Sequence, residues 1–137
     1  MAYSCPQKIM FKHCDPAGIV FYPRYFEMMN DCVEAFFEER LNLPFAALHS
    51  EGAVPTAEIS TRFTAPSRLG DELTIGLRVT RLGRTSLGLR LTALCGEETR
   101  FETTSTLVMV DRDGRPTAWP AEVREKINAC LENDNDA

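Results

Sequence analysis

From Arg24 to Leu41 the sequence contains no glycine or proline, and Pro23 stands immediately before this run. Proline lacks the N–H that a first helical residue leaves unpaired, and its fixed φ suits a helix start, so the pattern predicts a helix of about five turns. On a 3.6-residue wheel Tyr22, Tyr25, Phe26, Met29, Val33, Phe36 and Phe37 share one broad face, opposite Arg24, Glu27, Asp31, Glu34 and Glu38. Such a helix must lie against an apolar surface. Amphipathic spacing of this kind means core, and no chemistry is assigned to the stripe.

The rest of the chain supplies that surface. From Ala53 onward the period changes from helical to alternating. Ile59, Thr61 and Phe63 alternate with Glu58, Ser60 and Arg62, and Leu73, Ile75, Leu77 and Val79 alternate with Thr74, Gly76, Arg78 and Thr80. Leu87, Leu89, Leu91 and Ala93 continue the pattern, and the segment from Phe101 to Val110 closes it with an apolar end. Gly83-Arg84 and Gly96-Glu97 mark hairpins, and Asp113-Gly114 ends the sheet. Ahead of the long helix, residues 7–13 alternate with Ile9 and Phe11 on one side, which predicts a first strand. A brief helical FAALH segment follows Pro44, Glu51-Gly52 reads as a turn, and Pro120 opens a final helix, AEVREKINACL. The acidic tail over 133–137 is expected to fray. The order of strand, long helix and four antiparallel strands describes one α+β domain over 1–137. Either a curved five-stranded antiparallel sheet wraps the helix, or another α+β sandwich forms.

Composition restricts the function classes. With 137 residues, 44% hydrophobic and 26% charged, the chain has the make-up of a soluble globular domain that forms a core without staples. Cys5, Cys14, Cys32, Cys95 and Cys130 are odd in number, scattered and without a CxxC pair. They read as reduced thiols, not as a disulfide framework or a metal site. No stretch approaches the roughly 20 apolar residues a membrane span requires, and no basic-then-apolar leader is present, so a cytoplasmic protein without membrane contact is expected. A formal charge of -5 argues against nucleic acid as a partner. Arg62, Arg68, Arg78, Arg81, Arg84 and Arg90 nevertheless concentrate positive charge in the centre of the chain, enough to hold a small anionic ligand.

The loop before the long helix runs His13-Cys14-Asp15-Pro16-Ala17-Gly18-Ile19-Val20-Phe21-Tyr22-Pro23-Arg24-Tyr25. Pro16 restricts Asp15 to extended geometry, and Gly18 permits a sharp reversal. A carboxylate is thereby expected beside a helix N-terminus, where first-turn N–H groups lack intrahelical acceptors and carry partial positive charge. Donors of that kind stabilise an oxyanion formed at a carbonyl. The competing reading of Asp15 is an Asx turn ahead of proline. His13 and Cys14 suggest a nucleophile and base, but neighbours on an extended chain point to opposite sides. His13 is expected to flank the loop or touch the aspartate, and His49 to sit on the surface; neither is assigned catalysis.

The same segment resembles the signature of the 4-hydroxybenzoyl-CoA thioesterase family: an Asp-Pro-Ala-Gly run, two branched apolar residues, aromatics, then proline at the helix start. The resemblance implies a hot-dog fold, a long central helix wrapped by a five-stranded antiparallel sheet and followed by a C-terminal helix. It implies hydrolysis of an aromatic or short-chain acyl-CoA to free acid and CoA. Carried onto this chain, Asp15 attacks the thioester carbonyl or activates water, and the Tyr22 backbone N–H contacts the carbonyl oxygen. Gly18 shapes the substrate loop. Asn30 stands where an acidic residue of the family recognises a phenol hydroxyl; asparagine can bond a hydroxyl without bringing charge, which leaves the acyl group open. Basic residues near the third and fourth strands contact the nucleotide in the family, which points to Arg84, with Arg81 beside it. No metal or organic cofactor is implied, coenzyme A being part of the substrate. A homodimer or a homotetramer built as a dimer of dimers is implied, because family sites form between subunits, and a lone sheet leaves open edges. Two other functions fit the same fold: a hydratase or dehydratase of acyl thioesters, which ordinarily uses a histidine with a carboxylate, and a non-catalytic acyl-CoA-binding module, which has no need of the aspartate.

Overall fold

The computed structural model describes residues 3–48 and 52–136, with side chains described as far as Leu131; His49 and Glu51 lie outside the described residues. Strand β1 (Tyr3–Lys8) is followed by a 3-10 turn at Phe11–His13, the long helix α1 (Pro23–Glu39) and a short helix α2 (Phe45–Leu48). Then come β2 (Gly52–Ala53), β3 (Thr56–Phe63), β4 (Glu72–Leu82), β5 (Ser86–Cys95), β6 (Glu98–Val108), β7 (Val110–Asp111) and helix α3 (Ala121–Asp136). Five strands form an antiparallel sheet in the order β1-β4-β5-β6-β3, while β2 and β7 pair separately.

The alternation predicts the inward face well. Leu73, Ile75, Leu77 and Val79 of β4 and Leu87, Leu89, Leu91 and Ala93 of β5 are all buried, and they pack with Phe36, Phe37 and Phe101 into one core. Burial of such side chains contributes about 1.5–3 kcal/mol each, which is what fixes α1 in the concave face of the sheet. Pro23 does occupy the first turn of α1, with Tyr22 as the residue before it. Gly96 closes the β5–β6 hairpin at φ 61, and Gly114 ends the sheet at φ 80, both left-handed conformations that L side chains resist. Helix α3 packs on β4, and Lys126 Nζ donates to the Leu41 carbonyl at 3.2 Å, tying it to the end of α1.

Two expectations change. The strand predicted over residues 7–13 is displaced toward the N-terminus: β1 ends at Lys8, and Phe11, expected beside Ile9 on a buried face, is 82% exposed. The Met10 N–H donates to His13 Nδ1 at 2.8 Å, so the chain turns instead of extending. The buried stripe of α1 is also rotated. Tyr25, Met28, Met29, Cys32, Phe36 and Phe37 are buried, whereas Tyr22 is 58% exposed and Phe26 and Val33 lie at the margin. Those marginal residues face a gap between α1 and the edge strand β3.

Candidate active site

The Asp15 loop is a small hairpin anchored at both ends. Cys14 pairs with Val20, Ile19 pairs with Arg68, the Val20 N–H donates to the Ser67 carbonyl at 2.9 Å, and the Phe21 N–H to the His13 carbonyl at 2.9 Å. At its tip the Gly18 N–H donates to the Asp15 carbonyl, and Gly18 adopts φ 82, the reversal read from the sequence. Asp15 Oδ1 accepts the Ala17 N–H at 2.9 Å, which is an Asx turn, and the second carboxylate oxygen, Oδ2, takes no hydrogen bond among the described residues.

Two residues past the hairpin, the Phe21 and Tyr22 carbonyls accept the Arg24 and Tyr25 N–H groups. Among the described residues nothing accepts the Tyr22 N–H. It stands at the start of α1, where the helix dipole is positive, and Tyr22 lines an open groove of about 540 Å3 together with Val20, Tyr25, Phe63 and Ala65. Asp15 does not line the groove; the two groups share a loop but not a wall.

Further along the same gap a second concavity of about 320 Å3 is lined by Phe26, Met29, Asn30, Val33, Ile59 and Ser105, among others. Asn30 therefore faces a cavity two turns beyond Tyr22, and among the described residues no ionisable side chain lines it. Arg84 lies exposed in the β4–β5 turn, where its carbonyl accepts the Trp119 N–H at 3.2 Å. That turn is at the far end of the sheet. Ile19 pairs with Arg68 just before β4, and the 11 residues of β4 separate that point from Leu82. At about 3.3 Å per residue this is roughly 35 Å, so one chain does not bring Arg84 to Asp15.

His13 is buried, and among the described residues it makes no hydrogen bond to Cys14. Its Nδ1 accepts the Met10 N–H, which fixes the neutral form with the proton on Nε2, and burial with neighbouring Lys12 lowers its pKa. Cys14 Sγ contacts the Met10 carbonyl at 3.7 Å. A charged cleft of about 430 Å3 on the opposite flank of α1 is lined by Lys12, Arg24, Glu27 and Asp31, and Arg24 is already paired with Glu27 at 3.1 Å.

The sequence reading missed the clamp beneath the hairpin. Arg100 Nη1 lies 2.7 Å from Asp71 Oδ2, 3.1 Å from the Pro66 carbonyl and 3.1 Å from Ser67 Oγ, and Ser67, fully buried, is the residue that receives the Val20 N–H. Its Nε also lies 2.7 Å from Glu98 Oε1, a close ion pair without hydrogen-bond alignment. The Arg100 hydrogen bond, then the Arg68 N–H, holds the Asp71 carboxyl below its ordinary 3.8. A carboxylate with a depressed folded pKa adds stability in full above its unfolded value and loses it as pH falls through the folded one. Arg100→Met is expected to lower stability by about 2 kcal/mol at pH 7. The wild-type advantage shrinks as pH falls below about 3.8, which urea midpoints across a pH series measure.

A long helix clasped by a five-stranded antiparallel sheet, with a C-terminal helix packed beside it, defines a hot-dog protein. The family model described as the thioesterase-like superfamily matches residues 9–127, and the chain belongs to that superfamily. A 1,4-dihydroxy-2-naphthoyl-CoA thioesterase from Synechocystis superposes with TM-score 0.86 at 17% identity, over 93% of this chain and 96% of that one. A gentisyl-coenzyme A thioesterase superposes with TM-score 0.84 at 24% identity, covering 91% of this chain and 99% of that one. A Staphylococcus aureus protein solved in complex with CoA gives TM-score 0.92 at 18% identity, covering 98% and 86%. No curated protein sequence matches the chain. Among the described residues no helix is long and apolar enough to cross a membrane.

Proposed function

We propose that this protein is an acyl-CoA thioesterase of the 4-hydroxybenzoyl-CoA thioesterase type, with Asp15 as nucleophile or general base. The observation that carries the reading is that Tyr22, whose N–H meets no acceptor among the described residues, lines an apolar groove and lies on the same anchored loop as a carboxylate with one oxygen uncommitted among those residues. As the general base, Asp15 takes a proton from water while the hydroxyl oxygen bonds to the thioester carbon. The carbonyl electrons move to oxygen and are held by the Tyr22 N–H. When the carbonyl reforms, the C–S bond breaks and coenzyme A leaves as a thiolate, which needs no strong acid. As the nucleophile, the carboxylate makes the same attack and water then hydrolyses the anhydride. No step calls on a metal or an organic cofactor. The acyl-CoA thioesterases and the CoA complex among the structural neighbours support the substrate class. Free thiols at Cys5, Cys14, Cys32 and Cys95 suit a reducing cytoplasm.

The reading includes a second copy of the chain. Strand β3 is an edge, and Ile59 and Phe63 on its inward face are each 43% exposed, so neither face of the strand is well covered. Pairing two β3 edges antiparallel about a two-fold axis covers both and brings the second copy's Arg84 to the end of the joined sheet that holds this chain's Asp15. There Arg84 contacts the nucleotide phosphates. Arg84→Ala is expected to raise KM for an acyl-CoA about tenfold with little change in kcat, and to leave an acyl-pantetheine substrate unaffected. Thiol release from a panel of benzoyl, hydroxybenzoyl and saturated acyl-CoA esters tests the function as a whole. Turnover supports the enzyme, whereas tight binding without turnover identifies the non-catalytic module that the Asx turn alone is sufficient to build.

A further inference from the structure

The gap between α1 and β3 is divided. Tyr22, whose N–H meets no acceptor among the described residues, lines the groove together with Phe63; Phe26 lines the cavity that continues toward Asn30. Between them the Phe26 and Phe63 rings meet edge to face, with centroids 6.2 Å apart at 89°, and Phe63 is further held by Tyr25, stacked at 5.6 Å, and by Tyr22 at 5.9 Å. On the neighbouring strands the Thr61 and Thr103 hydroxyls share a hydrogen bond at 3.0 Å, and the Thr103 hydroxyl donates to Met29 Sδ at 3.5 Å. Among the described residues no Asp, Glu, Lys, Arg or His lines either compartment. Tyr22 and Asn30 are eight positions apart on one helix, about 12 Å along its axis.

We propose that Phe63 determines acyl-chain specificity: its ring partitions the groove at the Tyr22 N–H from the apolar cavity beside Asn30 and confines the substrate to short or single-ring acyl groups. The inference rests on the thioesterase reading and deepens it. With the ring present, an acyl group whose carbonyl meets the Tyr22 N–H ends against Phe63. With the ring removed, the two compartments join into a neutral, apolar channel of a length that suits an extended alkyl chain. Each methylene that enters the cavity favours binding about fourfold.

Phe63 is half-exposed on an edge strand, so its truncation is compatible with folding, and Phe63→Leu provides a graded second variant. In Phe63→Ala the ratio of kcat/KM for dodecanoyl-CoA over butyryl-CoA is expected to rise at least about tenfold, with Phe63→Leu intermediate. Adding the cavity-filling Ile59→Trp to Phe63→Ala is expected to return the ratio toward wild type. A ratio within about twofold of wild type in Phe63→Ala, or equal losses at every chain length, overturns the partition. Calorimetric binding of non-hydrolysable S-alkyl-CoA thioethers reads the same preference without turnover. If wild type hydrolyses esters but the variants leave both profiles unchanged, the partition fails and the thioesterase stands. If no ester is hydrolysed yet thioether preference shifts with Phe63, the reverse holds.

Discussion

Asp15→Asn is expected to lower kcat for acyl-CoA hydrolysis by about three orders of magnitude while leaving the unfolding midpoint unchanged. The separation between the two readouts comes from the geometry of the side chain. One oxygen, Oδ1, accepts the Ala17 N–H at 2.9 Å and shapes the loop; the other has no hydrogen-bond partner among the described residues. Asparagine reproduces the first with its amide oxygen, so the Asx turn and the Cys14–Val20 hairpin persist. What it cannot supply is a basic or nucleophilic oxygen. If Asp15 serves the turn alone, asparagine replaces it without consequence, and full turnover in the variant ends the catalytic assignment. Asp15→Ala loses the turn as well, and its added fall in stability measures the structural share separately.

The features legible in the sequence are those set by neighbours a few residues away. Pro23, Gly18, Gly96 and Gly114 each sit where a backbone angle or a missing N–H dictates the residue, and the positive φ values at the three glycines follow. The inward faces of β4 and β5 are legible because both strands are central and have one buried side. Strand β1 includes Pro6, which is tolerated because β1 is an edge strand, where one row of peptide groups needs no partner. The apparent continuation through Phe11 fails because the Ile9 N–H and carbonyl are taken by Asp71 and Gly70, a contact across more than sixty residues that no local period encodes.

The site divides along the same line. The loop residues can be picked out together, since Asp15, Gly18 and Tyr22 lie in one short segment. The Arg100–Asp71–Ser67 clamp that fixes the hairpin joins residues from different elements, and none of them stands out in sequence. The aromatic stripe on α1 reads as core throughout, yet it is wider than the sheet can cover. Phe26 and Val33 form the excess, and with Asn30 they make the cavity wall. A stripe broader than its partner surface is the sequence signal that indicates a pocket. Arg84 differs again: its placement at the far end of β4 makes its proposed role depend on a second chain.

The sharpest test of the oxyanion donor is a substitution that removes the peptide hydrogen and leaves the helix start in place. Tyr22→Pro deletes the backbone N–H at a position where no protein acceptor among the described residues uses it and where φ is already -53, close to the angle the proline ring imposes. The helix start is therefore expected to survive, with the substituted ring directly ahead of the existing Pro23. The loss of ring contact with Phe63 is isolated by Tyr22→Ala, which keeps the N–H. If that donor holds the developing oxyanion, Tyr22→Pro lowers kcat by about 10²–10³-fold, whereas Tyr22→Ala changes it only a few-fold. Circular dichroism and the unfolding midpoint establish that α1 is retained in both. Equal activity in the two variants means that the carbonyl is polarised elsewhere, because the tyrosine side chain is absent from both and the peptide N–H is what distinguishes them.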